Sequence, residues 1–513
     1  MLGIIENFIY GKGIRMSLSK NAVLLLKERY CRNGESPLQV FSRVANVVSC
    51  RDKRLEKKLN FAMRNGIFLP ASPTLRNAVP STKPETMFLH PCHVLPIKDS
   101  IWSIMNCLAR CANIFHYGGG VGFNISQLRP KGAVVRNGGI SSGPVSFLSL
   151  FDHLTEVVKQ GGFRRGALMC VLNYDHPEIL SFVTSKLTGK LKNFNISVIV
   201  TDEFMEKVKT DERIDLKFKD TIYNTIRARD LFDLIAYSAY ISGDPGVLFF
   251  DRINKDNKHY PLVRINATNP CGEVPLPNNS SCNLGALNLS KFVTKSGNFD
   301  MKKFQTYLVI GMKSLKNINR LGWFPTPEMR KNMLQLDPCG LGFMGLADAL
   351  IMLGIKYDST ETLSFLDEIS KPYVKITDEI GGKSFYKRSQ QPTGSLSIIA
   401  NCSPGIEPIF ERGFNRRLTI GTIYENKDLY NSKYCTTAYE IDPGWHLAIQ
   451  AKVQSFVDAG VSKTINLPNS SSVDVIKSIY YLAWEKSCKG VTIFRDGCKE
   501  GVIQRCADDK CSL

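Results

Sequence analysis

An amide, a thiol and a carboxylate stand at alternate positions in Asn269-Pro270-Cys271-Gly272-Glu273, and a second thiol, Cys282, follows eleven residues after the first. Such a set can orient a small molecule, exchange a hydrogen atom with it and take up its proton. Pro270 and Gly272 oppose helix, and Pro275 and Pro277 follow on the way out, so the stretch is expected to be a tight loop. In an extended loop the three odd-numbered side chains would point the same way. Alone, the stretch reads more readily as a turn around a buried cysteine. What surrounds it must decide.

The elements that would position it alternate in type. Ser19 caps an N-terminal helix that ends near Asn33-Gly34, and a second helix is expected over Pro37 to Arg64. Ser72 and Thr74 flank a proline in a loop, and Cys92 starts a strand-like run, CHVLPI. Asp99 and Ser100 open a helix whose apolar positions Ile101, Ile104, Leu108, Ala112 and Phe115 fit a 3.6-residue period. It stops at Gly118, Gly119 and Gly120, where a backbone can approach a ligand closely. Ser142 and Pro144 start the next helix. Beyond it Lys159, Arg164 and Arg165 sit in a glycine-bounded basic loop that suits a phosphate or a solvated surface equally.

Strands are expected at Asn193 to Val200, Gly246 to Phe250, Lys463 to Pro468 and Gly490 to Phe494. Helices are expected from the Cys271 loop to about Leu321, over Cys339 to Gly354, and from Ser472 to Lys489. Gln391 to Ser397 reads as a loop rich in hydroxyls and free N–H groups, the composition of a phosphate cradle. Strands alternating with helices predict an α/β fold.

Composition narrows the class. The 513 residues are 43% hydrophobic and 22% charged, an ordinary globular balance. No apolar run reaches the ~18–20 residues that span a bilayer, and no leader pattern opens the chain, so a soluble cytoplasmic protein without membrane contact is expected. The net charge of +19 suits nucleotide polyphosphates. No basic tract with interleaved aromatics argues for nucleic acid. Fifteen scattered cysteines without a CxxC pair argue against a disulfide framework. Cys107 and Cys111, near His93 and His116, read as core packing, so no metal site is expected.

The motifs SPTL, GGGVGFN, SGPVSF, KQGGFRRGA, HPEIL, NFNISV, NPCGE, SCNLGALNL, GLGFMGLADAL, PTGSLSIIA, SKTINLP and GVTIFRDG occur in this order from Ser72 to Gly497. In this the chain resembles the catalytic chain of a ribonucleotide reductase, most closely the adenosylcobalamin-dependent, diphosphate-reducing type. The resemblance implies a ten-stranded α/β barrel with a central finger loop over residues 66–500. A helical region at 1–65 would precede it, and a flexible redox tail at 501–513 would follow. It implies that Cys271 carries the thiyl radical, Glu273 acts as base and Asn269 holds substrate hydroxyls. Cys92 and Cys282 would supply the electrons, and Cys506 and Cys511 would re-reduce them by exchange with a thioredoxin- or glutaredoxin-type partner.

Substrate contacts would fall to Ser72, Thr74, Gly119, Gly120, Pro392, Thr393, Gly394 and Ser395. A deoxynucleoside triphosphate effector would use Asp99, Ser100, Lys159, Arg164 and Arg165, near a homodimer interface. The ATP cone of some relatives is not expected. Pro91 replaces the serine or alanine usual before the first redox cysteine. The strand Val491 to Arg495 lacks the tyrosine pair of enzymes served by a metal-containing radical subunit, and Tyr480-Tyr481 lie in the preceding helix. The alternatives are a large subunit that needs such a partner, and a nucleotide-binding regulator without catalysis.

Overall fold

Apolar runs without alternation become the centre of the sheet. The computed structural model describes residues 18–505 except 33, 81–86, 136–137, 161–163, 188, 190, 258–262, 419–420 and 499–502. Its largest sheet has ten strands. In chain order they are β1 (Phe68–Pro70), β2 (Cys92–Val94), β3 (Gly120–Asn124), β4 (Leu168–Asn173), β5 (Phe194–Val200), β6 (Gly246–Phe249), β7 (Ser280–Asn288), β8 (Cys339–Met344), β9 (Thr464–Leu467) and β10 (Gly490–Arg495). Strands β2 to β6 run parallel to their neighbours. So do β7 with β8, and β9 with β10. The two sets meet antiparallel at β2–β7 and at β6–β10. β1 and β2 share one edge of β7, at its two ends.

Closure comes from the segment around Ser389. Leu341 of β8 bridges to Arg388, and Gln390 bridges to Val461 just before β9. The helices cover the outside. Ile104, Cys107, Cys111, Ile114 and Phe115 form the inner stripe of Ile101–Tyr117 and pack in a core with Phe123, Phe151 and Phe194. Cys107 and Cys111 are core residues, as their helical spacing predicts. The N-terminal helices Lys20–Arg29, Pro37–Val48 and Lys53–Arg64 join a second core with Phe68, Phe343 and Tyr373.

Several local expectations are corrected. Cys339 to Gly354 is not one helix: Cys339–Met344 is strand β8, and only Leu346–Leu353 is helical. Its glycines serve a period of two. A Cβ on Gly340 would lie 2.3 Å from Leu284, and one on Gly342 2.3 Å from the Ser389 carbonyl. Ser280–Asn288 is strand, buried at all nine positions, so it lacks the alternation that reveals strands. The helix expected over Pro37 to Arg64 breaks at Cys50 and Arg51, both with positive φ, and Asp52 caps the second half. Ser72–Asn77 and Gly394–Ala400 form short helices where loops were expected. Gly143, not Ser142, is the residue before the helix Pro144–Val157.

Inside the barrel runs a two-stranded ribbon, Ala267–Thr268 paired with Pro275–Leu276. It has room because the wall gives up side chains. A Cβ on Gly122 of β3 would sit 1.7 Å from the Thr268 carbonyl, and one on Gly120 would sit 2.8 Å from Pro270. Gly122→Ala is therefore expected to destabilise the fold by at least about 3 kcal/mol. Gly394→Ala, whose new carbon meets nothing within 4 Å, should be near neutral. Urea unfolding checks both, and a Gly122→Ala protein as stable as the parent would contradict this packing.

Candidate active site

The tip of the ribbon is a turn and not an extended loop. Gly272 N donates to Asn269 O at 3.1 Å, and Asn269 N donates to Val274 O at 3.3 Å. Gly272 has φ +81°, open to glycine at little cost. The three side chains consequently part company. Asn269 and Glu273 are buried, while Cys271 is exposed. The turn is held from both halves of the barrel. Asn195 Nδ2 of β5 donates to Pro270 O at 2.8 Å. Ser389 Oγ and Gly460 N donate to Glu273 O at 2.9 and 2.8 Å. Sequence reasoning missed these anchors; Asn195, a polar residue inside an apolar run, was the one visible signal.

Cys92 and Cys282 are directly opposite each other on antiparallel β2 and β7. Such partners have Cα atoms roughly 4.5–5.5 Å apart, inside the span of about 4.4–6.8 Å that a disulfide bridges. Both are buried free thiols, and burial is the first cause that pushes each well above the usual thiol range. They therefore hold their hydrogens at neutral pH. Asn269 Nδ2 donates to Cys92 Sγ at 3.1 Å, and the Cys92 thiol faces Glu273 Oε1 at 3.9 Å. Thus the sheet brings Cys92, Cys282, Asn269 and Glu273 together.

Burial raises the Glu273 carboxyl to about 7, against opposing hydrogen bonds from Asn269 and Cys92. Its Oε2 is buried with no partner among the described residues. A carboxyl poised near neutrality suits proton transfer in either direction. Behind Cys282, a polar group not seen in the sequence steadies β7. Asn283 Nδ2 donates to Leu315 O at 3.0 Å and to Asn319, which in turn donates to Asp337 at 2.6 Å.

Cys271 opens onto a cavity of about 490 Å³ whose wall includes Asn195, Pro392, Phe410, Phe414 and Lys463. Of the expected phosphate cradle, Pro392 lines it. Thr393 Oγ1 accepts from Gly405 N at 2.7 Å, and Ser395 Oγ accepts from Arg29 at 3.4 Å. Gly394 starts the helix Gly394–Ala400. Ser72 Oγ meets Tyr30 Oη at 2.8 Å, and buried Thr74 donates to Leu89 O at 3.0 Å. Gly120 faces Pro270, while a Cβ on Gly119 would strike Ile114 and His93.

Of the expected effector residues, Asp99 pairs with Arg129 at 2.9 Å, and Ser100 caps Ile101–Tyr117. Lys159 and Arg165 are partners in a short antiparallel ribbon with Gln160 and Arg164. Cys506 and Cys511 lie outside the described residues. No cluster of three or more metal-ligating side chains occurs among the described residues, and no described helix is long and apolar enough to cross a membrane.

Residues 91–373 and 381–494 match the family description "Ribonucleotide reductase, barrel domain", and residues 16–82 match "Ribonucleotide reductase, all-alpha domain". The chain is 39% identical over 494 residues to the vitamin B12-dependent ribonucleoside-diphosphate reductase of Thermoplasma acidophilum, covering 84% of this chain and 64% of that relative. It is 35% identical over 575 residues to the protein so named from Mycobacterium tuberculosis, covering 97% of this chain and 82% of that relative. The ribonucleoside-diphosphate reductase large subunit of vaccinia virus is 30% identical over 330 residues, covering 57% of this chain and 42% of its own.

The Glu273 carboxyl has a measurable signature. The folded state keeps its proton up to about pH 7, whereas the unfolded chain releases it near the ordinary value of 4.5. Stability from this group is therefore full below 4.5, falls as pH rises to about 7, and is level above. At ~1.36 kcal/mol per unit the loss is about 3 kcal/mol. Glu273→Gln should remove that slope, seen as a smaller difference between urea unfolding at pH 4.5 and pH 8. An unchanged slope would refute the assignment.

Proposed function

Because this chain belongs to the ribonucleotide reductase family, we propose that it reduces ribonucleoside diphosphates to 2′-deoxyribonucleoside diphosphates. The mechanism uses a thiyl radical and a cysteine pair. One observation carries this reading: the Cys92–Cys282 cross-strand pair lies beside Asn269 and Glu273, with Cys271 apart from it on the tip of the ribbon.

The division of labour follows from these positions. Cys271 Sγ, as a thiyl, takes the hydrogen from ribose C3′. Glu273, as the carboxylate, accepts the 3′-hydroxyl proton and returns it when C3′ is reduced again at the end, and Asn269 orients the hydroxyls. The Cys92 thiol protonates the departing 2′-hydroxyl, which leaves as water. Cys92 and Cys282 together lose two hydrogens and become a disulfide, while C2′ gains one and water carries the other. Cys271 returns its hydrogen to C3′ at the end, so its thiyl is regenerated and not consumed. Ser72, Thr74, Gly119, Gly120 and the segment Pro392 to Ser395 bind the substrate.

The cobalamin dependence named for the bacterial and archaeal relatives comes to this chain as part of the proposal. The apolar wall of the cavity suits the adenosyl part of such a group. Pro392, Pro404, Pro408, Phe410 and Phe414 line it beside the exposed Cys271 thiol and would hold it. Adenosylcobalamin supplies, when bound, the organic radical chemistry that Cys271 requires. The absence of tyrosine from β10 supports this over a partner subunit. Tyr480 sits in the preceding helix with its hydroxyl committed to Pro245 O at 3.0 Å.

Regulation and assembly complete the reading. A deoxynucleoside triphosphate effector binds at Asp99 and Ser100 with Lys159, Arg164 and Arg165. The exposed Ile101, Trp102 and Met105 of the adjoining helix, with Leu150 and Val157 on the next, support a homodimer at that face. Residues 503–505 pair with 414–416, and the tail they lead into carries Cys506 and Cys511 as the shuttle to a thioredoxin- or glutaredoxin-type reductant. The functional units are the helical region 1–65, the catalytic barrel 66–500 and the tail 501–513.

The purified chain, held anaerobically with a ribonucleoside diphosphate and dithiothreitol, should form deoxynucleotide when adenosylcobalamin is added and none when it is omitted. Cys271→Ser should abolish both turnover and hydrogen loss from C3′. Cys282→Ser should abolish turnover yet keep tritium release from C3′. Turnover by the Cys271→Ser protein would falsify the thiyl mechanism. Removing residues 504–513 should spare turnover with dithiothreitol and abolish it with a protein reductant; equal loss with both would end the shuttle reading.

A further inference from the structure

Two acceptors that the mechanism above leaves idle, Glu407 and Gln450, line the cavity that Cys271 opens onto. Glu407 is held with unusual firmness. The Lys463 ammonium, fully buried, donates to Glu407 Oε2 at 2.6 Å, to His446 Nδ1 at 3.1 Å and to Thr464 O at 3.1 Å. Its three donors are then used up. His446 Nε2 faces Ala438 O at 2.9 Å. A carbonyl only accepts, so Nε2 carries the hydrogen and Nδ1 is left to accept from Lys463. The other Glu407 oxygen, Oε1, accepts from Thr464 N at 2.8 Å. The carboxylate is thus aimed by a cation and a backbone N–H, while its side chain stays 21% exposed.

Gln450 lies one helical turn beyond His446, on the same face of Pro443–Gln454. Its Nε2 donates to Gly490 O at 2.7 Å, which turns Oε1 the other way. That oxygen is buried and has no partner among the described residues. Gln450 as a whole is 1% exposed. A buried amide oxygen without a donor is unfavourable unless something bound supplies one. Phe410 and Phe414, with ring centroids 5.8 Å apart, line the same cavity. The wall therefore carries a fixed carboxylate and aromatic surface, with an amide oxygen that lacks a donor on a residue of the same wall, the complement of a flat base joined to a pair of hydroxyl donors.

We infer that Glu407 and Gln450 form a ribose-diol subsite in the Cys271 cavity, with Lys463 as the residue that positions Glu407. The inference rests on the reading that a nucleoside is handled beside Cys271. In that reading Asn269 and Glu273 already take the substrate's hydroxyls, so the diol assigned to Glu407 and Gln450 is that of the cofactor's adenosyl group.

Equilibrium dialysis of the full chain tests this. A control arm compares CDP with dCDP, whose difference rests on Asn269 and Glu273 and should not move in the variants below. The test arm compares 5′-deoxyadenosine with 2′,5′-dideoxyadenosine, and there the parent should prefer the diol form by about ten- to hundredfold, as for hydrogen bonds to a fixed charged acceptor. Glu407→Gln and Gln450→Leu should each bring the preference towards one. The ratio is taken within each protein, so a general loss of stability does not imitate it. Gln450→Leu keeps the Lys463, Glu407 and His446 group intact and decides the matter if the Glu407→Gln protein does not fold. A 5′-deoxyadenosine preference unchanged by both variants, or absent from the parent, overturns the subsite. Loss of diol preference in the variants of a chain that shows no cobalamin-dependent reduction would sink the reductase reading and leave the subsite standing.

Discussion

A closed sheet has no room for a backbone loop at its centre unless the wall surrenders side chains there. That constraint governs this molecule. Gly122 lies so close to the Thr268 carbonyl that even a methyl group would overlap it, and Gly120 and Gly460 make similar space for Pro270 and Gly272. Once admitted, the loop is held by Asn195, Ser389 and the Gly460 amide, which come from opposite sides of the barrel. Its chemistry follows from its enclosure. Water is kept from Glu273, so its carboxyl keeps a proton to about neutrality. The same dryness keeps Cys92 and Cys282 as thiols.

The barrel also explains why the turn at Gly272 matters. An extended tip would place Cys271, Asn269 and Glu273 on one side. The turn instead presents Cys271 to the cavity and leaves Asn269 and Glu273 against Cys92. The exposed thiol and the buried pair thereby lie on two faces of one short loop, the division that the proposed mechanism assigns to radical transfer and electron supply.

The loop at the centre was legible in the residues, because Pro270 and Gly272 stand within five positions of Asn269 and Glu273. The ordered motifs extended the reading to Cys92 and Cys282, which the sheet sets opposite each other, and to the barrel. The secondary structure around them was less legible where burial erases pattern. Ser280–Asn288 is covered on both faces, so neither a period of two nor of 3.6 appears. Cys339–Met344 carries glycines that look like helix-packing positions, yet each makes room for a neighbouring strand or for Ser389. Lys463 stands 56 residues from Glu407 and 17 from His446, and only the folded chain shows that one ammonium joins them. Cys506 and Cys511, read from the sequence as a shuttle, lie outside the described residues.

The place of the cysteine pair has a mechanical side. β2 and β7 belong to the two oppositely running sets of strands, and Cys92 and Cys282 face each other across that seam. A bond between them would clasp the two sets covalently and close a very long loop of chain, which in the chain-entropy model is worth about 5 kcal/mol. In the proposed cycle that clasp would close and open once per turnover. Resistance to unfolding would then gauge how many molecules in a population carry the bond.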